Sequence, residues 1–189
     1  MSGFPVALGV RVKVECLQTA GSAWYRGYLH YMLRSLGRFK GIVLHGDPLR
    51  IAAQTLAGEF HRLPMFEASG DDPGALAQEK GFHLLPGADD PDVSAGIATL
   101  GLELADQLPA EVGRVVLTAG AFVGPIREGF AAADRACDVL AVGTSAGTVA
   151  WPPEWPDAMV QGLRVVTDDA GRSALWQERE SELPTCVVI

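Results

Sequence analysis

Residues 12–27 read VKVECLQTAGSAWYRG, and this stretch decides the fold. A short β-branched run over residues 10–15 is written as a strand. A Gly-Ser turn follows, and Ser22 is placed to N-cap a helix running to about residue 36. Strand, glycine turn and helix in that order open a parallel α/β unit. Trp24 stands in the first turn of the helix, with Tyr28, Tyr31 and Met32 near the same face.

The alternation continues outward from there. Strands are expected at residues 41–45, 82–85, 114–118, 139–144 and 163–167. Several are almost wholly apolar, as strands covered on both faces of a parallel sheet must be. Between them lie helical patterns. Asp47-Pro48 is a strong helix start, an N-cap acid followed by proline at the first helical position. That helix is expected to turn Leu49, Ala52, Ala53, Leu56 and Phe60 inward. A helix near residues 92–108 spaces Val93, Ile97, Leu100, Leu104 and Leu108 at steps of three and four. Pro125 begins another, with Ile126, Phe130 and Ala133 inward, and a last helix is expected over residues 169–180. Linkers are expected at residues 69–74, 86–91 and 145–156. The fold class is α/β, an open and mostly parallel sheet flanked by helices.

Composition narrows the function. The chain has 189 residues, 48% of them hydrophobic, enough for a real core. Net charge is −8 and no Lys/Arg cluster exists, which argues against nucleic-acid binding. No apolar run approaches the roughly 20 residues needed to span a bilayer, and no signal peptide is evident, so the expected location is cytoplasmic. Cys16, Cys137 and Cys186 are widely spaced among apolar residues and read as buried free thiols.

Four stretches, in order, resemble threonine dehydratases and serine racemases, pyridoxal-phosphate (PLP) enzymes of fold type II in the tryptophan synthase beta-like superfamily. Residues 20–27 resemble the Gly-Ser-Phe-Lys-x-Arg-Gly segment that follows an E-x-L-Q-x-T-G-S turn. Residues 41–53, GIVLHGDPLRIAA, stand where the family has its Ser-Gly-Asn-His substrate loop. Residues 89–109, DDPDVSAGIATLGLELADQLP, give the most specific match. Residues 115–129, VVLTAGAFVGPIREG, replace the glycine-rich phosphate loop, and residues 165–169 are a weaker echo. The resemblance implies a reduced fold type II architecture. A large-domain-like unit would comprise residues 1–40 and 88–189, and a reduced small-domain-like segment residues 41–87. The stretch between residues 63 and 85 is expected to lack a strand–helix unit.

The departures fall on the chemistry. In the family a lysine carries PLP as a Schiff base, and the matching position is Trp24. An indole has no basic amine, so it forms no imine and shuttles no substrate proton. The family asparagine aligns with Asp47 and its histidine with Pro48. The glycine run is reduced to Gly120 and Gly124, with Phe122 between them in a position to fill the phosphate's space. The resemblance thus implies a catalytically inactive homologue. Its expected role is structural, regulatory or metabolite-binding, with no cofactor, no catalytic residues and no metal. The residual pocket is expected to comprise Ser22, Trp24, His45, Gly46, Asp47, Thr118, Gly120, Phe122 and Gly124. A small amino or carboxylic acid is the expected ligand, and a homodimer or a larger protein partner is open. The alternative is an active PLP-dependent lyase or racemase with a relocated lysine, for which Lys13 is the geometric candidate among Lys13, Lys40 and Lys80.

Each feature also has a plainer reading. Trp24 can be a core aromatic, since filling a cavity is packing. Asp47 can simply cap its helix, and the 118–125 loop can be an ordinary turn whose glycines allow close packing. His30, His61 and His83 lack metal-ligand spacing. Residues 143–147, GTSAG, match the spacing of a nucleophile elbow around Ser145, but the following stretch reads as extended and no histidine lies beyond His83. Trp151 and Trp155, set among prolines, are either an exposed anchor for a partner or a cover over the core.

Overall fold

The computed structural model describes residues 10–13, 19–35, 37–68, 72–117, 120–144, 163–166 and 185–188. The expected last helix, Trp151, Trp155, Ser145 and Cys16 lie outside these residues. The chain forms two compact units: Met1–Val14 with Gly101–Ile189, and Glu15–Leu100.

The first unit is built on a five-stranded sheet in the order β1-β8-β5-β6-β7. Its strands are β1 (Val10–Lys13), β5 (Arg114–Leu117), β6 (Asp138–Thr144), β7 (Leu163–Val166) and β8 (Thr185–Val188). All described pairings are parallel. Val115, Val116 and Leu117 are buried, in keeping with a strand covered on both faces. The terminal strand β8, absent from the sequence reading, lies between β1 and β5, so the sheet's continuity depends on it. Helix α5 (Val123–Ala132) follows a 3-10 turn over Gly120–Phe122. Ile126 and Phe130 point inward as expected, whereas Ala133 is exposed and stands at the C-cap.

The second unit carries a three-stranded parallel sheet, β3-β2-β4. The strands are β2 (Ile42–Leu44), β3 (Met65–Glu67) and β4 (His83–Leu84). Around them lie α1 (Trp24–Arg34), α2 (Pro48–Phe60) and α3 (Pro73–Lys80). Helix α4 (Pro91–Gln107) gives its residues through Leu100 to this unit and the rest to the other. The stretch between residues 63 and 85 therefore does contain a strand and a helix, β3 and α3, contrary to expectation. The unit also extends beyond residues 41–87: α1 and the start of α4 fold with it. Gly96 shows why. A Cβ there would lie 2.4 Å from the Arg26 carbonyl oxygen and 2.7 Å from the Gly27 Cα, so the two helices cross backbone to backbone.

Three helices start with the same device. Asp47, Asp72 and Asp90 each precede a proline and accept hydrogen bonds from first-turn amides. Only the first pair was read as a helix start, and the other two fell in expected linkers. Helix α3 ends on Gly81 in the left-handed conformation, with φ of 60°.

The inward face of α2 differs from the expected one. Leu49 is 54% exposed and Phe60 63% exposed, while Ala53, Gln54, Ala57 and Gly58 are buried. A Cβ on Gly58 would lie 2.5 Å from Met65 Sδ and 2.9 Å from Ile42 Cδ1. The helix sits so close to the sheet that only small residues fit, and the large apolar ones are turned outward.

Candidate ligand site around Arg50

Trp24 is half-buried at the start of α1 and stacks on Tyr28 one turn later, with ring centroids 5.7 Å apart at 16°. Ser22 does not supply the cap itself, which is Ala23, but its Oγ accepts from the Trp24 amide at 3.3 Å. Across from these rings stands Arg50, in the first turn of α2. Its guanidinium carbon lies 5.4 Å from the Trp24 ring centre and 6.0 Å from that of Tyr28. A cation over an indole face is attracted by the ring quadrupole.

The guanidinium is also held by oxygen acceptors. Arg50 Nε donates to the Tyr28 hydroxyl at 2.6 Å, and Nη2 donates to the Pro86 carbonyl at 3.0 Å. Longer contacts at 3.5 Å reach the Leu85 carbonyl and His45 Nε2. Tyr28 donates its own proton to the Pro86 carbonyl at 3.2 Å, and His45 Nε2 lies 2.9 Å from the Leu85 carbonyl. One side chain thus ties α1, α2 and the loop after β4. Burial raises the Tyr28 pKa above its usual value of 10.0. The nearby Arg50 charge opposes that shift, and the Gln54 amide does so more weakly without reaching hydrogen-bond geometry.

The turn between β2 and α2 completes the cluster. His45 is half-buried, and its backbone N–H donates to Gln54 Oε1 at 2.8 Å. Gly46 has a φ of 115°, and a Cβ there would lie 2.6 Å from Arg50 Cδ, so glycine is needed for conformation and for space. Asp47 accepts from the Leu49 and Arg50 amides at 3.0 and 3.1 Å. Its role in the structure is the helix cap. Sequence reasoning brought Trp24, His45, Gly46 and Asp47 to this unit but missed Arg50, Gln54 and the Pro86 carbonyl. The available signal was a lone arginine three residues into an Asp-Pro helix.

Other expected pocket residues lie in the other unit. Thr118 is outside the described residues. Gly120 opens the 3-10 turn, Phe122 is the α5 N-cap and is 9% exposed, and Gly124 is buried in the first turn of α5. No side chain at this cap accepts the first amide hydrogens. The lysines are engaged or exposed. Lys13 pairs with Glu103 and lies 3.4 Å from Gln107 Oε1. Lys80 lies 3.5 Å from Glu79 and 4.7 Å from the Phe66 ring centre, and Lys40 is exposed. Cys137, expected to be buried, is half-buried. Its pKa is raised chiefly by that partial burial.

A second cluster joins Tyr31, Phe39 and His83. Tyr31 Oη lies 2.8 Å from His83 Nε2, and the Phe39 and His83 rings stack at 4.3 Å. Partial burial lowers the His83 pKa below 6.5. All three residues are half-buried, each ring stacked on its neighbours.

The fold of the two units is that of the fold type II PLP-dependent enzymes. No family model matches the chain, and no curated protein matches it. Among solved structures, a threonine deaminase from T.th. superposes with a TM-score of 0.70 at 21% identity, over 95% of this chain and 83% of that one. Serine racemase from Dictyostelium discoideum gives 0.75 at 14% identity, over 95% and 85%. A pyridoxal 5'-phosphate-dependent aspartate racemase gives 0.62 at 20% identity, over 97% and 70%.

These neighbours correct the expectation of no cofactor, because the structures sharing this fold are those of PLP enzymes. The physical reason lies at the start of α5. Backbone amides, rather than glycine Cα atoms as such, bind a phosphate. Val123 and Gly124 supply first-turn amides at α5, the third position being Pro125, which has none, and Phe122 has no polar atom with which to occupy them. The residues present therefore fit the phosphate of PLP. They do not fit its covalent carriage at position 24, where the side chain is an indole. No helix among the described residues is long and apolar enough to cross a membrane.

Proposed function

We propose that the protein binds PLP without a covalent link and acts as a metabolite-binding or regulatory protein rather than as a lyase or racemase. The first-turn amides of Val123 and Gly124, with that of Gly120, would hold the phosphate, Pro125 offering none. Bound PLP supplies an electrophilic aldehyde and an electron-withdrawing ring. The observation that carries the reading is Trp24, an indole stacked on Tyr28 and faced by Arg50 where the resembling family has its lysine. The contacts of Lys13 with Glu103 and Gln107 support the same reading, since they hold its amine on protein groups. The homodimer implied by the resemblance belongs to this proposal and is read by sedimentation.

The test is the visible spectrum of the purified protein with added PLP, followed by borohydride reduction and intact mass. Saturable retention of PLP without a mass adduct is expected. A stoichiometric adduct on Lys13, Lys40 or Lys80 would overturn the reading in favour of an active enzyme. Trp24→Lys is expected to acquire a borohydride-stable PLP adduct.

A further inference from the structure

Leu49, Ala52, Leu56 and Phe60 recur at steps of three, four and four, so they form a stripe along one face of α2. That stripe is not spent on the core. Leu49 and Phe60 are more than half exposed, and Ala52 and Leu56 are half-buried. Ala53, Gln54, Ala57 and Gly58 do the packing instead. Single exposed leucines are ordinary on a protein surface, but an apolar row at helical spacing suits another helix. The ends of the stripe carry opposite charges. Asp47 precedes Leu49 and Arg62 follows Phe60; both are exposed, and neither makes an ion pair among the described residues.

We propose that this face of α2 is an interface between two copies of the chain, the two α2 helices packing antiparallel across a twofold axis. This rests on the homodimer of the proposed function and assigns it a face. The stripe is self-complementary in that register. Leu49 stands opposite Phe60 of the partner subunit, and Leu56 opposite the small Ala53 of the partner subunit, so large side chains meet small ones. The same register sets Asp47 against Arg62 of the partner subunit, once at each end. Leu49 with Phe60 and Asp47 with Arg62 share one midpoint, between Gln54 and Thr55, so a single axis serves both pairs. Antiparallel packing also sets each positive helix N-terminus beside a negative C-terminus. A foreign partner would need no such symmetry, and this favours a second copy. Asp47 keeps its cap, because a carboxylate can accept more than the two amides it holds.

The test is sedimentation equilibrium of the full chain over protein concentrations from about 1 μM to about 1 mM. The parent is expected to dimerise with a dissociation constant of about 50 μM or tighter, as suits a narrow interface. Phe60→Glu, which sets a charge in the stripe, is expected to weaken the dimer at least roughly tenfold with an unchanged circular-dichroism spectrum. Asp47→Lys and Arg62→Asp are each expected to weaken it at least about threefold, since each sets like charges together at both ends. Arg62 has a φ of 54°, which aspartate tolerates. Mixing the two charge variants puts an opposite pair at each end and is expected to recover the parent's affinity. Should Asp47→Lys, which loses the helix cap, fail to fold, Phe60→Glu and Arg62→Asp decide the matter. A parent that stays monomeric throughout overturns this interface and the homodimer together. A dimer unaffected by folded Phe60→Glu overturns the face and leaves the homodimer standing. A mixture no tighter than either folded charge variant overturns the antiparallel register. PLP retention is measured on the same samples. Its loss with the dimer intact breaks the proposed cofactor binding and leaves the α2 interface standing.

Discussion

The two strand-to-helix turns, β2 into α2 and β5 into α5, look alike in the fold and differ at their caps. At α2 the Asp47 carboxylate accepts from the first-turn amides, so the chain supplies its own anion. At α5 the cap is Phe122, whose side chain accepts nothing. A helix N-terminus carries partial positive charge in either case, and one residue decides whether it is satisfied from inside or outside. In the resembling family both turns belong to the ligand machinery. In this chain the turn into α2 is capped by its own carboxylate, whereas the turn into α5 has no side-chain cap.

The comparison can be broken most severely through α1, which carries Trp24 and Tyr28 to the start of α2. Gly96→Ala would force a Cβ onto the Arg26 carbonyl and the Gly27 Cα. It should cost about 3 kcal/mol, because neither neighbour is a flexible side chain. Urea denaturation measures it, and a loss below a third of that would show that α4 can shift without penalty.

Asp47→Ala sharpens the comparison by opening α2. The expected loss is about 1 kcal/mol, that of an N-cap acid. The opened amides should then respond to phosphate, so the variant's Tm should rise with phosphate more than the parent's. Equal responses would mean that the Asp47 carboxylate does not exclude anions.

A smaller effect is read through pH at the Arg50 knot. The folded-state pKa of Tyr28 is raised above 10.0, so its contribution to stability is complete below pH 10.0 and is lost as pH rises through the folded value. Tyr28→Phe should reduce that alkaline loss while removing about 1 kcal/mol at neutral pH for the acceptor taken from Arg50. Denaturation midpoints on both sides of pH 10.0 test it. An alkaline loss of unchanged steepness would assign it to other groups.

The smallest effect lies at His83, whose folded-state pKa is lowered below 6.5. Its contribution is present above 6.5 and is lost as pH falls through the folded value. His83→Gln should flatten the acid limb of a stability profile slightly. A steeper limb would reverse the assigned direction.

The elements that the sequence made legible are those with strong local signals. The apolar spacing of Val93, Ile97, Leu100 and Leu104 settled α4, and all four are buried. Asp47-Pro48 settled the start of α2. The same signal at Asp72-Pro73 and Asp90-Pro91 was present and was passed over, because a proline among aspartates and glycines reads equally well as a linker. The inward face of α2 misled for the opposite reason. Large apolar residues suggest the core, yet Gly58 brings the helix so near Met65 and Ile42 that only small side chains fit.

The sequence alone determined the alternation of parallel strands and helices, the caps, and the absence of an amine at Trp24. These are local properties of spacing and side-chain chemistry. The tertiary structure alone decided that β8 lies between β1 and β5, that α1 and the start of α4 fold with the β3-β2-β4 sheet, and that Arg50 meets Trp24, Tyr28 and Pro86. Those contacts join residues far apart in the chain. Which of them form depends on close packing at glycines such as Gly96 and Gly58, and no local pattern encodes that.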